Sequence, residues 1–125
     1  MKEYIRKIIS LLGYEIRKKK TNFFLKNKID LIIDVGAHRG EFALEVLNEN
    51  FKGKIISFEP QLKIYNILLS NSKKYDNWTV HKRCGIGKKN QLSIMNIMSE
   101  TTCSSFYVPT KNLLSIDPTQ KIVKR

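Results

Sequence analysis

Acidic residues are scarce in this chain. Eleven Asp and Glu stand against 23 Lys and Arg, which leaves a net charge of +12 over 125 residues. A balance so basic favours contact with nucleic acid, anionic lipid or anionic glycan, and carries no information about fold. The bases gather at Arg17-Lys18-Lys19-Lys20 and from Lys82-Arg83 to Lys88-Lys89. Solvated charge is the commoner role for such runs. Cysteine is nearly absent too. Cys84 and Cys103 form neither a CxxC pair nor any spacing that would hold a metal, so no disulfide framework and no zinc site is expected, and the pair reads as reduced thiols of a cytoplasmic protein. No apolar run approaches the roughly 20 residues of a membrane span. "IISLLG" after Lys2 and Arg6-Lys7 is too short for a signal-peptide core, and "YEIRKKK" follows it without a small-residue cleavage site, so export is not expected.

The chain does have the apolar share, and the Trp, Phe and Tyr content, of one globular domain. Ile5, Ile8, Ile9 and Leu12 fall at helical spacing with Glu3, Arg6 and Lys7 off the stripe. Residues 1–28 therefore read as a basic amphipathic helix and linker, and docking on the domain is favoured over contact with a membrane surface. From Ile29 the pattern changes. "IDLIIDV" is β-branched and continuous, as in a strand buried on both faces. "EFALEVLNEN" places Phe42, Val46 and Leu47 on one helical face and ends near Asn50 and Gly53. "KIISFEP" reads as a second strand, "KIYNILLSNSKKY" as a second helix, and "WTVHKRCGIG" as a third strand. β-α-β-α-β in that order calls for parallel strands, right-handed crossovers and helices on both faces. "QLSIMNI" then alternates like a short edge or antiparallel strand, and "KIVKR" starts another.

The turn Gly36-Ala37-His38-Arg39-Gly40, between a buried strand and a helix, suits a ligand that approaches the backbone closely. Glu59 ends the second strand 23 positions after Gly36, near the roughly 20 at which an acid reaches the ribose of a nucleoside. The dinucleotide fingerprint G-x-G-x-x-G lacks its second glycine here, which disfavours a pyrophosphate and an NAD-type fold. A nucleoside with a zwitterionic amino-acid tail fits better, with Asp34 ordering the loop and facing the amine.

With those residues in register, "IDVGAHRGEFAL", "GKIISFEPQLKIYNILLSN", "NWTVHKRCGIG" and "TTCSSF" resemble the FkbM family of S-adenosylmethionine-dependent methyltransferases. The likeness runs from about residue 29 to 106, and "LLGYEIRKK" is similar to the leader of bacterial members. The resemblance implies a Rossmann-like class I methyltransferase fold over residues 29–125. That fold would be incomplete: three parallel strands with crossover helices and a short extra strand, the chain ending where a fourth strand of the sheet is due. It implies S-adenosylmethionine as cofactor and a small-molecule or glycan hydroxyl as acceptor. Asp34, Gly36 and Gly40 would line the methionine tail, and Ala37 and His38 of the same turn would also touch the cofactor. Glu59 would bind the ribose, Pro60 would fix the strand end, and Gly85 and Ile86 would flank the adenine. The chain departs from the family at His38, where Asn is usual, and at Lys88, where an acid is usual. His38 is the nearest base by position, although a loop histidine more often hydrogen-bonds its surroundings. His81 reads as a packed or edge histidine, and Ser104 and Ser105 match a motif on the acceptor side. The competing reading, from the charge alone, is a non-catalytic basic module for nucleic acid or an anionic surface; no nucleic-acid motif accompanies it.

Overall fold

The computed structural model describes residues 23–124; the amphipathic stretch read at the N-terminus lies, up to residue 22, outside the described residues. After a single helical turn α1 (Phe23–Lys26), the chain runs β1 (Leu31–Val35), α2 (Glu41–Asn48), β2 (Lys54–Phe58), α3 (Leu62–Ser72) and β3 (Trp78–Val80). The three strands form one parallel sheet in the order β1-β2-β3. That is the β-α-β-α-β unit expected from the sequence, an α/β architecture compatible with a Rossmann-like fragment.

The register explains the core. Ile32 pairs with Ile55 and Ile55 with Trp78, so the three side chains form a row on one face of the sheet. Ala43 and Val46 of α2 and Leu68 of α3 pack into the same cluster, as does Phe51. Both crossover helices thus cover the same face. Ile55, Leu68 and Ala43 have no exposed surface at all. Truncating either of the larger two to Ala would cost about 2–5 kcal/mol.

On the opposite face lie Leu31, Ile33 and Val35, which are 45%, 61% and 57% exposed. The expectations of a strand buried on both faces and of helices on both faces are therefore corrected for the described residues: one face is covered, and β1 is an edge strand with no neighbour on its outer side. Continuous hydrophobicity marks β1 as a strand but does not say which face finds a partner.

Helix α2 has a defined stop. Asn50 takes φ 67, its N–H donates to the Leu47 carbonyl at 2.9 Å, and the Phe51 N–H donates to the Val46 carbonyl at 3.3 Å. These two bonds form a Schellman motif with asparagine at the left-handed position, and they deliver Phe51 into the core. Phe51 meets the Phe24 ring edge-on at 5.4 Å between centroids. Leu47 is half-buried and Phe42 is 46% exposed, so the buried side of α2 is Ala43 and Val46 and excludes Phe42.

Beyond β3 the regular alternation ends. The expected strand at "QLSIMNI" shrinks to β4 (Ile97–Met98), which pairs antiparallel with β5 (Ile122–Lys124) in a separate two-stranded ribbon. Leu92 and Ile94 alternate as a strand would, yet both are exposed because no partner strand lies beside them. Likewise the third strand covers only Trp78–Val80 of the expected "WTVHKRCGIG". Between β4 and β5 lie a 3-10 turn, Thr101–Cys103, and a short helix α4 (Lys111–Ile116).

Candidate functional site at the carboxyl ends of the strands

In an open parallel sheet, ligands bind beyond the carboxyl ends of the strands. Here that end carries a cavity of about 210 Å³, whose lining includes Val35 and Gly36 after β1, Phe58 and Pro60 after β2, and Gly85 and Ile86 after β3. Ser104, Ser105 and Phe106 close it from the other side. The structure therefore brings Gly36, Pro60, Gly85 and Ile86 to one cavity and adds both serines to its wall. Gly36 has φ 77, and the space its side chain would occupy is open. Phe106 lies where a Gly85 side chain would be, so Gly85 lets that ring form part of the wall.

The remaining predicted residues support the loop and do not line this cavity. Ala37 is 5% exposed and belongs to the core cluster. Gly40 takes φ 91, and a side chain there would overlap the Trp78 ring and the Leu68 methyl. Its role is to let the loop lie on the core. Asp34 points to the helix-covered face, where its carboxylate accepts from the Ser57 hydroxyl at 3.1 Å. Ser57 in turn accepts from the Trp78 indole N–H at 2.9 Å. The Ser57 hydroxyl thus both donates and accepts, and the buried indole N–H has its acceptor. Burial raises the Asp34 pKa above 3.8; the Ser57 bond opposes that, and the charges of Glu41 and Glu59 add to it.

Glu59 is only 2% exposed. One oxygen accepts the His38 N–H at 2.9 Å and the other the Gln61 N–H at 2.8 Å. The same two residues hold the 3-10 turn with their side chains. His38 Nε2 lies 2.8 Å from Thr101 Oγ1, and the Gln61 amide donates to the Thr101 carbonyl at 3.0 Å. The turn is thus latched to the loop on both sides of the Glu59 carboxylate. His38 adopts φ 50, a left-handed conformation in which Asn and His are enriched. Its Nδ1 lies 3.0 Å from Glu41, so both ring nitrogens have partners. Slight burial raises the Glu41 pKa, but hydrogen bonds from its own N–H, from His38 and from the Arg39 N–H hold it below 4.5.

Every loop amide is committed. The Gly36 and Ala37 N–H groups both donate to the Phe58 carbonyl at 3.0 Å, and the Gly40 N–H donates to Ala37 at 2.8 Å. The His38 and Arg39 N–H groups go to Glu59 and Glu41. No nest of free N–H groups is left to cradle a pyrophosphate. What the loop offers a ligand is the bare Cα of Gly36.

The residues missed by sequence reasoning are mostly apolar. Val35 and Phe58 line the cavity simply as strand ends, which the strand-end rule could have found; Met95 and Tyr107 had no signal. Cys84 also lines it, with its sulfur 3.5 Å from His81 Nδ1. His81 lies just past β3, exposed and tilted against the Phe58 ring at 4.9 Å. Lys82, Arg83, Lys88 and Lys89 are all exposed, and no acid occurs between Asp76 and Glu100. Among the described residues, no group of three His, Cys, Asp or Glu side chains is placed to hold a metal, and no helix is long and apolar enough to cross a membrane. Comparison with protein-family models, with curated proteins and with solved structures gave no match.

Proposed function

We propose that this chain carries the cofactor-binding part of an S-adenosylmethionine-dependent methyltransferase of the FkbM type, acting on the hydroxyl of a sugar or similar small molecule. The observation that carries this reading is the cavity at the strand ends, where Gly36, Pro60, Gly85 and Ile86 meet Ser104 and Ser105. Four residues singled out from three separate motifs converge there. The commitment of all five loop amides argues in the same direction, because a dinucleotide's pyrophosphate would have nothing to bind.

The fit is uneven along the ligand. The open Cα face of Gly36 admits a flat or extended group, and Pro60 and Ile86 supply apolar walls. At the ribose end, each Glu59 oxygen keeps a second lone pair after accepting its backbone N–H, but the Thr101 turn must lift for a hydroxyl to reach it. The cavity of about 210 Å³ is smaller than the roughly 300–1,000 Å³ usual for ligand pockets, so it holds only part of such a ligand. When bound, the cofactor supplies a methyl group already activated on a sulfonium. The protein's part is then to hold the acceptor in line, which is chiefly a matter of proximity. His38, with both ring nitrogens engaged, acts here as a holder of the Thr101 turn.

Isothermal titration of the full chain with S-adenosylhomocysteine tests the reading, with NAD as control. Saturable binding of the first and none of the second is the expected result; no heat at millimolar S-adenosylhomocysteine would overturn it. The exposed bases of residues 82–89 keep a second reading in play, a basic module for an anionic surface. It predicts instead a salt-sensitive response to oligonucleotides or anionic vesicles.

A further inference from the structure

The loop after β3 forms one wall of the strand-end cavity and carries an unbalanced charge. Between Asp76 and Glu100 the charged side chains, histidine aside, are Lys82, Arg83, Lys88 and Lys89. All four are exposed, and among the described residues none of them is in an ion pair. They bracket Cys84, Gly85 and Ile86, which line the cavity. Each lies within three residues of a lining position, a separation of at most about 11 Å between Cα atoms. Two contacts tie this loop to the cavity. The Arg83 guanidinium donates to the Pro60 carbonyl at 2.9 Å, and Pro60 is itself a lining residue. The Phe106 ring fills the space beside the bare Cα of Gly85, so the loop also lies against the wall of Ser104, Ser105 and Phe106. Arg83 is thereby fixed at the cavity's edge. One N–H is spent on Pro60, and the remaining donors of its planar fork suit a carboxylate or a phosphate.

S-adenosylmethionine is a poor target for this charge. Its sulfonium and amine outweigh its one carboxylate at neutral pH, so cations without counter-charges repel it on balance. We propose that they serve the second substrate: the hydroxyl acceptor bears an anionic group, a phosphate or a carboxylate, which Arg83 holds with Lys82, Lys88 and Lys89 around it. The inference rests on the methyltransferase reading above and names the acceptor's class, a sugar phosphate or sugar acid in place of a neutral sugar. Charge-assisted hydrogen bonds from a guanidinium are stronger than neutral ones and fix orientation as well. At the cavity's edge the anionic group keeps part of its hydration, which spares it the desolvation cost of a buried pair, while the hydroxyl end turns inward.

Amide NMR titrations of the full chain with glucose 6-phosphate, glucuronate and glucose test it, each without and with S-adenosylhomocysteine. An anionic sugar should shift Cys84, Gly85 and Ile86, and glucose should not; the tighter of the two anions tells phosphate from carboxylate. Arg83→Gln should raise its dissociation constant about tenfold, as loss of one charge-assisted pair predicts, and Lys88→Gln/Lys89→Gln should weaken binding as well. Lys73→Gln/Lys74→Gln removes two exposed cations just past α3, where the chain turns toward the start of β3, and should leave binding unchanged. Equal shifts with glucose, no shift with either anion, or an equal loss in the Lys73/Lys74 variant would overturn the proposal. So would binding confined to oligonucleotides or anionic vesicles, which would assign these bases to a macromolecular surface. Failure of the cofactor reading shows separately, as S-adenosylhomocysteine that leaves Gly36 unmoved.

Discussion

Gly36 and Gly40 occupy the same turn at similar dihedral angles, yet the structure gives them different work. Replacing each by Ala separates the two roles. Both take positive φ, 77 and 91, so either substitution carries a backbone cost of about 1–2 kcal/mol. At Gly36 nothing lies within contact of the new methyl, and the backbone term stands alone. At Gly40 the methyl overlaps Trp78 and Leu68, both nearly fully buried, which adds an overpacking penalty of about 1–3 kcal/mol. Gly40→Ala should therefore be less stable than Gly36→Ala by about 1–3 kcal/mol. With a urea slope of about 1–3 kcal/mol per molar, the midpoints should differ by about 1 M. Trp78 is the single tryptophan and sits against the Gly40 position, so its fluorescence reports unfolding directly. Ligand binding should show the opposite order, with Gly36→Ala folded but impaired for S-adenosylhomocysteine. If Gly40→Ala proves as stable as Gly36→Ala, the assignment of Gly40 to core packing is wrong. If Gly36→Ala binds as the parent does, the cleft is not where the ligand sits.

Three other outcomes follow from the hydrogen-bond network. Ser57→Ala leaves the Trp78 N–H buried without an acceptor and removes the donor to Asp34; it should cost about 1–3 kcal/mol in urea unfolding, with a shift in the Trp78 emission. Asp34→Asn should raise thermal stability at pH 7. The folded state holds the Asp34 pKa above 3.8, chiefly through burial, so ionisation is harder in the folded than in the unfolded chain. The penalty is absent below pH 3.8, grows as pH rises toward the folded value and is complete above it; the gain from Asn should vanish in melts below pH 3.8. Glu59→Gln offers one acceptor to two backbone N–H groups, so it should destabilise the chain by about 1–3 kcal/mol even in the absence of any ligand, and an unchanged melting temperature would refute a structural role for this carboxylate.

Much of the fold was legible because it rests on local chemistry. The strand-helix alternation from Ile29 to Val80, the stop near Asn50 and the parallel order all follow from periodicity and turn residues. Four positions of the cavity were legible for a related reason: Gly36, Pro60, Gly85 and Ile86 lie at strand ends, and the sheet gathers strand ends. What the sequence could not show was direction. Asp34 and Gly40 sit in the same motif as Gly36, but the pleat and the loop's left-handed residues turn them to the core. Nor could alternation at Leu92 and Ile94 reveal that no strand would lie beside them. The tie of Thr101 to His38 and Gln61 joins residues 63 and 40 positions apart, and no local signal marks such a bond. The uncovered face of β1 is of the same kind, since a continuous apolar strand reads alike whether one face is covered or two.

A nucleoside site at the strand ends can be seen residue by residue in amide NMR of the full chain titrated with S-adenosylhomocysteine. Shifts should appear first at Gly36, Gly85 and Ile86, with Thr101 and Thr102 following as the latch opens. An unchanged spectrum, or changes confined to the exposed bases of residues 82–89 and abolished by salt, would contradict it.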